Sequence, residues 1–219
     1  MSVKIKICGF TEPDSLRAAA RLDVDWAGFN FFEKSPRYVT PSAAQNLLLG
    51  VGNMIPVALL VDPDNAMLDE IAALGFPILQ LHGKETPQRV AEIKARTGLE
   101  IWKAVGIRTR VNLDEAREYY AADRMLFDAK PPESAENLGG HGVAFDWTLL
   151  KNWTGEGADT MPWMLAGGLR RDNVAQAISI SGARAVDVSS GVERIRGLKN
   201  ADMIADFVEA VRAIAPRTN

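Results

Sequence analysis

The sequence holds one cysteine, Cys8, and only two histidines, His82 and His141. A single thiol excludes an internal disulfide and a cysteine-based zinc site. Two histidines far apart in the chain give no metal-binding cluster, so no metal site is expected. There is no excess of charge of either sign: 25 basic and 28 acidic residues are interspersed and leave a net charge of −3. That lacks the basic footprint of a nucleic-acid binder, although local backbone groups can still hold a small anion. No apolar run approaches the roughly 18 residues of a membrane span, and no apolar signal core opens the chain. A cytoplasmic protein without membrane or nucleic-acid partners is expected. Low-complexity segments and linkers are missing, which favours one domain over residues 1–219. Neither G-x-G-x-x-G nor a P-loop is present, and nothing in the pattern speaks to oligomeric state.

What is present alternates. Short β-branched or aliphatic runs lie at 3–8, 26–31, 55–61, 77–82, 100–105, 124–128, 162–166 and 184–188. Amphipathic stretches separate them: Met67, Ile71 and Leu74 share one helical face, and Ile204, Phe207, Val208, Val211 and Ile214 form a 3.6-period stripe. Thr40-Pro41 and Thr86-Pro87 each place a capping hydroxyl before a proline at the first helical position. The sixth helix is the weakest: 133–144 reads as a loop, and only 145–151 has helical character. Eight strand–helix units predict a closed (β/α)₈ TIM barrel, an α/β fold. An open doubly wound sheet would more often use fewer strands and an early glycine-rich loop.

Strands of such a barrel are covered on both faces and should read as apolar. The polar exceptions are therefore informative. Alternation turns Lys6, Cys8, Asn30, Gln80, His82, Lys103, Asp128 and Asp187 into the barrel, most of them near the carboxyl end of a strand, where this fold builds its active sites. Burying such groups unpaired costs about 1–3 kcal/mol each, and gathering them at one mouth relieves that cost. Plainer readings stand beside each. A lone buried cysteine behaves as a small hydrophobe. Asp128 could cap a turn or pair with Lys6, His82 could bond the loop at Gly83, and Lys103 suits an internal ion pair better than catalysis. After the seventh and eighth strands come L-A-G-G-L (165–169) and D-V-S-S-G-V-E (187–193). Glycines there let backbone N–H groups approach an anion, and loops at this end of the barrel commonly bind phosphate. A phosphorylated small molecule is the expected ligand.

K-I-C-G-F-T (6–11), F-N-F-F-E-K-S-P-R-Y-V (29–39), L-Q-L-H-G (79–83), F-D-A-K (127–130), G-G-H-G-V-A-F-D-W (139–147), A-G-G-L (166–169) and A-V-D-V-S-S-G-V-E (185–193) resemble, in order, the phosphoribosylanthranilate isomerases of tryptophan biosynthesis. Phe10, where that family often has Ile, and Pro36 are mild departures. The resemblance implies an Amadori rearrangement of N-(5-phosphoribosyl)anthranilate to an aminoketose, without metal or organic cofactor. It implies Cys8 as general base and Asp128 as general acid. Arg37 would meet the anthranilate carboxylate, which a planar guanidinium can grip in two places. His82 is a further substrate-binding candidate. Asp187 would touch a ribose hydroxyl or hold Lys6, and Gly168, Ser190 and Gly191 would cradle the phosphate. A free thiol ionises near ~8.5, so Cys8 gains from a nearby cation, with Lys6 and Lys103 the candidates. The acid must hold a proton near neutral pH. The alternative is a catalytically silent barrel that binds a phosphorylated metabolite.

Overall fold

The computed structural model describes residues 2–129, 145–151, 153 and 161–214. Eight parallel strands close into a barrel in sequential order: β1 (Lys4–Cys8), β2 (Trp26–Asn30), β3 (Ile55–Leu60), β4 (Ile78–Leu81), β5 (Glu100–Ile107), β6 (Arg124–Ala129), β7 (Trp163–Leu165) and β8 (Ala185–Val188). All eight expected strands are present, and β8 pairs with β1 to remove any sheet edge. Helices α1 (Pro13–Ala20), α2 (Pro41–Leu48), α3 (Asn65–Ala73), α4 (Pro87–Thr97), α5 (Arg110–Ala116), α6 (Val174–Ser181) and α7 (Ala201–Arg212) follow the strands. The two Thr-Pro starts work as expected: Thr40 and Thr86 accept the backbone N–H of Ala43 and Arg89 at 3.2 Å each. The helical character expected at 145–151 is a 3₁₀ turn, Trp147–Leu150, while the loop expected at 133–144 lies outside the described residues. Among the described residues no helix is long and apolar enough to cross a membrane.

Two apolar layers build the molecule. The larger lies between strands and helices and includes Ile5, Ile7, Phe29, Leu60, Leu79, Phe127 and Phe207. The second fills the barrel itself with Trp26, Val57, Ile78, Trp102, Ala104, Leu126, Met164, Ala166 and Ala185. At its amino-terminal end the Arg124 guanidinium lies 5.2 Å from the Trp26 ring and 5.1 Å from the Trp102 ring, which meet edge to face at 5.3 Å. That stack fills the lower barrel.

The inner layer corrects one expectation. Trp102 and Ala104 point inward, so their neighbour Lys103 faces the helix layer and not the barrel interior. Filling the lower barrel with two tryptophans fixes the parity of β5. Lys103 instead pairs with Glu85 at 2.8 Å and bonds the Gly83 carbonyl at 2.9 Å, the ion-pair role read as the better of its two. The sequence reading also missed a hairpin after β8, β9 (Glu193–Ile195) and β10 (Leu198–Lys199), whose short antiparallel pairing carries no hydrophobic alternation.

Candidate active site

At the carboxyl end of the barrel a cleft open to solvent is lined by Cys8, Arg37, His82, Asp128 and Asp187, together with Asn30, Ser189 and Arg196. Five of the eight expected site residues therefore share one space. Gly168, Ser190 and Gly191 do not line it; they lie in the loops after β7 and β8, Ser190 next in sequence to Ser189, which does. Those loops pack together so tightly that a side chain at Gly191 would run into the Leu169 carbonyl.

Cys8 is the last residue of β1, and only 5% of it is exposed. Gly9 follows with φ +89°, and a side chain there would meet Arg37 Cδ at 2.5 Å. Glycine is thus required both by the turn and by the arginine packed across it. Beneath Cys8, fully buried Lys6 bonds Asp187 Oδ1 at 3.0 Å, and its charge acts on the thiol above it. Burial pushes the thiol up, and Asp187 adds to the shift, while Lys6 and Lys199 pull against it. The net direction is upward, so Cys8 is a thiol at rest and a strong base once ionised. Burial disfavours the Lys6 cation, but Asp187, joined by Cys8 once it is ionised, outweighs it and keeps Lys6 charged. Asp187 is the counter-ion of Lys6 as well as part of the cleft wall. Lys103, the other expected cation, plays no part at Cys8.

Asp128 sits near the end of β6. Its Oδ1 accepts the Ala129 backbone N–H at 2.7 Å, and its Oδ2 lies 3.4 Å from His82 Nε2. It pairs with His82, not with Lys6. His82 in turn lies 3.0 Å, through Nδ1, from the Gln80 amide nitrogen, so its partners are side chains and not the loop at Gly83.

Arg37 is almost fully buried, and part of its hydrogen-bonding capacity is already committed. Its Nε and Nη2 bind Glu193 Oε1 and Oε2 at 2.7 and 2.8 Å. Lys199 Nζ joins the same carboxylate at 2.5 Å and bonds the Ser189 carbonyl at 3.1 Å, while Ser189 Oγ bonds the Cys8 carbonyl at 2.9 Å. Burial works against the Glu193 carboxylate, but Arg37 and Lys199 hold it down to about 2. Burial lowers Lys199 to about 8 despite Glu193. A guanidinium has five N–H donors. Two go to Glu193, and among the described residues the Nη1/Nη2 end has no further side-chain partner and can grip a second carboxylate. Sequence reasoning gave no role to Glu193, Lys199 or Gln80. Glu193 closes the quoted D-V-S-S-G-V-E motif, and that was the signal available for it.

The chain was compared with known proteins. A family model described as N-(5'-phosphoribosyl)anthranilate (PRA) isomerase matches residues 5–210. An N-(5'-phosphoribosyl)anthranilate isomerase of Hyphomonas neptunium is 55% identical over 96% of this chain and 97% of its own. One of Paramagnetospirillum magneticum is 46% identical over 99% and 100%. The crystal structure of phosphoribosyl anthranilate isomerase from Thermotoga maritima superimposes with a TM-score of 0.83 at 31% identity, covering 95% of this chain and 98% of that one. A phosphoribosyl anthranilate isomerase in complex with reduced 1-(o-carboxyphenylamino)-1-deoxyribulose 5-phosphate gives a TM-score of 0.81 at 29% identity, over 95% and 98%. With the family model covering most of the chain and relatives this similar along their whole length, the chain belongs to the N-(5'-phosphoribosyl)anthranilate isomerase family.

Proposed function

We propose that Cys8 is the general base and Asp128 the general acid of the reaction this isomerase of tryptophan biosynthesis performs. That reaction converts N-(5-phosphoribosyl)anthranilate to 1-(2-carboxyphenylamino)-1-deoxyribulose 5-phosphate. The observation that carries the assignment is that the chain's one thiol and a strand-end carboxyl face the same cleft from β1 and β6.

Asp128 gives its proton to the ribose ring oxygen. The C1'–O4' bond breaks with its electron pair going to that oxygen, and the anthranilate nitrogen forms a Schiff base with C1'. Cys8, once its own proton has been lost to solvent, takes the C2' proton as thiolate, and the electron pair left behind forms the enolamine. Transfer of a proton from the 2'-hydroxyl to C1' then yields the ketone. No electrons leave or enter, so the step is an isomerisation. Lys6, charged and beneath Cys8, favours the thiolate when it forms.

Arg37, braced by Glu193, offers its outer edge to the anthranilate carboxylate. The loops carrying Gly168, Ser190 and Gly191 take the phosphate, with a short 3₁₀ turn at Ser190–Val192 presenting backbone N–H groups. His82 and Asp187 complete the wall. We take residues 1–219 as one barrel domain acting in the cytoplasm on a phosphorylated small molecule.

The test follows anthranilate-type fluorescence with substrate generated in situ, a no-protein control and product identified by mass. Cys8→Ala and Asp128→Asn should each lower kcat by about 10²–10⁴-fold, the usual contribution of a general base or acid, while substrate still binds. Near-normal kcat in either variant removes that residue's role. Binding without turnover in the unaltered chain would leave a silent phosphate-binding barrel.

A further inference from the structure

Gln80 is fully buried inside the barrel, yet its Oε1 meets no hydrogen-bond partner among the described residues. Its amide nitrogen instead lies 3.0 Å from His82 Nδ1, and His82 Nε2 lies 3.4 Å from Asp128 Oδ2. The three side chains form a line that runs from the barrel interior to the cleft and ends on the acid. The two ends of an amide are told apart only by their partners. With nitrogen toward the ring, Nδ1 must be bare, the ring proton sits on Nε2, and the partner that suits Asp128 is a carboxylate. A half-turn of the amide changes all three roles together. Oε1 then receives Nδ1–H, the donor it lacks, and a bare Nε2 faces Asp128, where the suitable partner is a carboxylic acid. A buried polar atom without a partner costs about 1–3 kcal/mol, and the half-turn moves the unpartnered place from the oxygen to the NH₂; what favours it is the acid role of Asp128, which needs a bare Nε2 opposite its proton.

We propose that Gln80 is a positioning residue for the acid: its amide oxygen holds the proton on His82 Nδ1, so that Nε2 and Asp128 Oδ2 share one proton, the one delivered to the substrate's ring oxygen. This rests on the reading of Asp128 as the acid. It assigns each atom a role. Nδ1–H donates to Gln80, the Asp128 hydroxyl donates to Nε2, and Asp128 Oδ1 stays anchored on the Ala129 N–H. When substrate enters, the Asp128 proton swings from Nε2 to the ring oxygen, leaving a carboxylate that faces a bare ring nitrogen. That contact favours taking the proton back before the next turnover.

The chain has only His82 and His141, so nitrogen-15 labelling of histidine gives two imidazoles, and His141→Gln assigns them. Long-range proton–nitrogen correlation spectra on the full chain report which ring nitrogen carries hydrogen. His82 should be protonated at Nδ1. Gln80→Met, which can neither donate nor accept at that position, should lose this preference, and kcat should fall by about tenfold or more with KM within about twofold. Gln80→Glu, which can only accept, should keep Nδ1 protonated. A bare Nδ1 in the unaltered chain overturns the proposal, as does a Gln80→Met variant with unchanged tautomer and kcat. If Gln80→Met does not fold, the tautomer of the unaltered chain decides by itself. Asp128→Asn separates the two readings: full turnover there removes the acid role whatever the tautomer, whereas an inactive Asp128→Asn beside a bare Nδ1 removes only the role of Gln80.

Discussion

Glu193 is the residue whose replacement should be felt most widely. It neutralises two cations at once, and the side chains are almost dry: 7% exposed for Arg37, 3% for Glu193 and 0% for Lys199. Glu193→Gln keeps the shape and removes the charge. It leaves one acceptor and turns an amide NH₂ toward a cation. Breaking a buried pair by removing one partner costs about 3–5 kcal/mol. The carboxylate's own titration gives a second figure. Its fall from 4.5 to about 2 corresponds to at most ~3.4 kcal/mol, and solvent at the cleft mouth screens part of that to leave ~2 kcal/mol. A loss of about 2–4 kcal/mol runs from the lower figure to the middle of the higher one. For a chain of this size that lowers Tm by about 5–15 °C. Because the folded value lies below the unfolded one, the contribution is complete above pH 4.5 and is lost as pH falls toward about 2. The gap between the parent chain and Glu193→Gln should therefore close in acid, and it should also narrow as pH rises toward about 8, where Lys199 loses the charge that Glu193 neutralises. Function should change as well. Without its brace Arg37 no longer holds its outer edge toward the substrate carboxylate, so KM should rise about tenfold with a smaller change in kcat. Urea unfolding and steady-state kinetics on the same preparations test both halves. A variant with parental stability and parental KM would refute the idea that Glu193 holds the arginine in place.

Cys8 is the sole thiol, so its alkylation reports one group. The rate should climb steadily with pH and reach half its maximum above 9, because burial outweighs the pull of Lys6 and Lys199. A midpoint below ~8.5, the unperturbed thiol, contradicts that balance. Lys103→Met strands the Glu85 carboxylate that holds the Asp62 and Gly83 backbone N–H groups, and should cost about 3–5 kcal/mol in urea unfolding. The double variant with Glu85→Gln should recover part of that loss, and no recovery would argue against the pair. Trp102→Ala opens a cavity in the fully buried lower barrel and should cost about 3–5 kcal/mol. KM should stay unchanged, because the cleft lies at the other end.

The sequence by itself determined the barrel. Strand-length apolar runs recur eight times between amphipathic stretches, and backbone hydrogen bonding with one buried face per helix leaves few other solutions. It also placed Cys8, His82, Asp128 and Asp187 at strand ends, because period-two alternation reads the inward face directly from β1, β4, β6 and β8. Tertiary structure decided where alternation was silent. Lys103 misled because the parity of β5 is set by Trp102 meeting Trp26 and Arg124 across the barrel, a contact between three strands. Arg37 stood out only through the resemblance of its K-S-P-R-Y segment, and its orientation depends on Glu193, 156 positions away in the chain, on a hairpin too short to show any pattern. Gln80 read as one more inward polar residue. Only its placement between the core and the His82 ring, with one amide atom unpartnered, gives it a role, and no local sequence signal encodes that geometry.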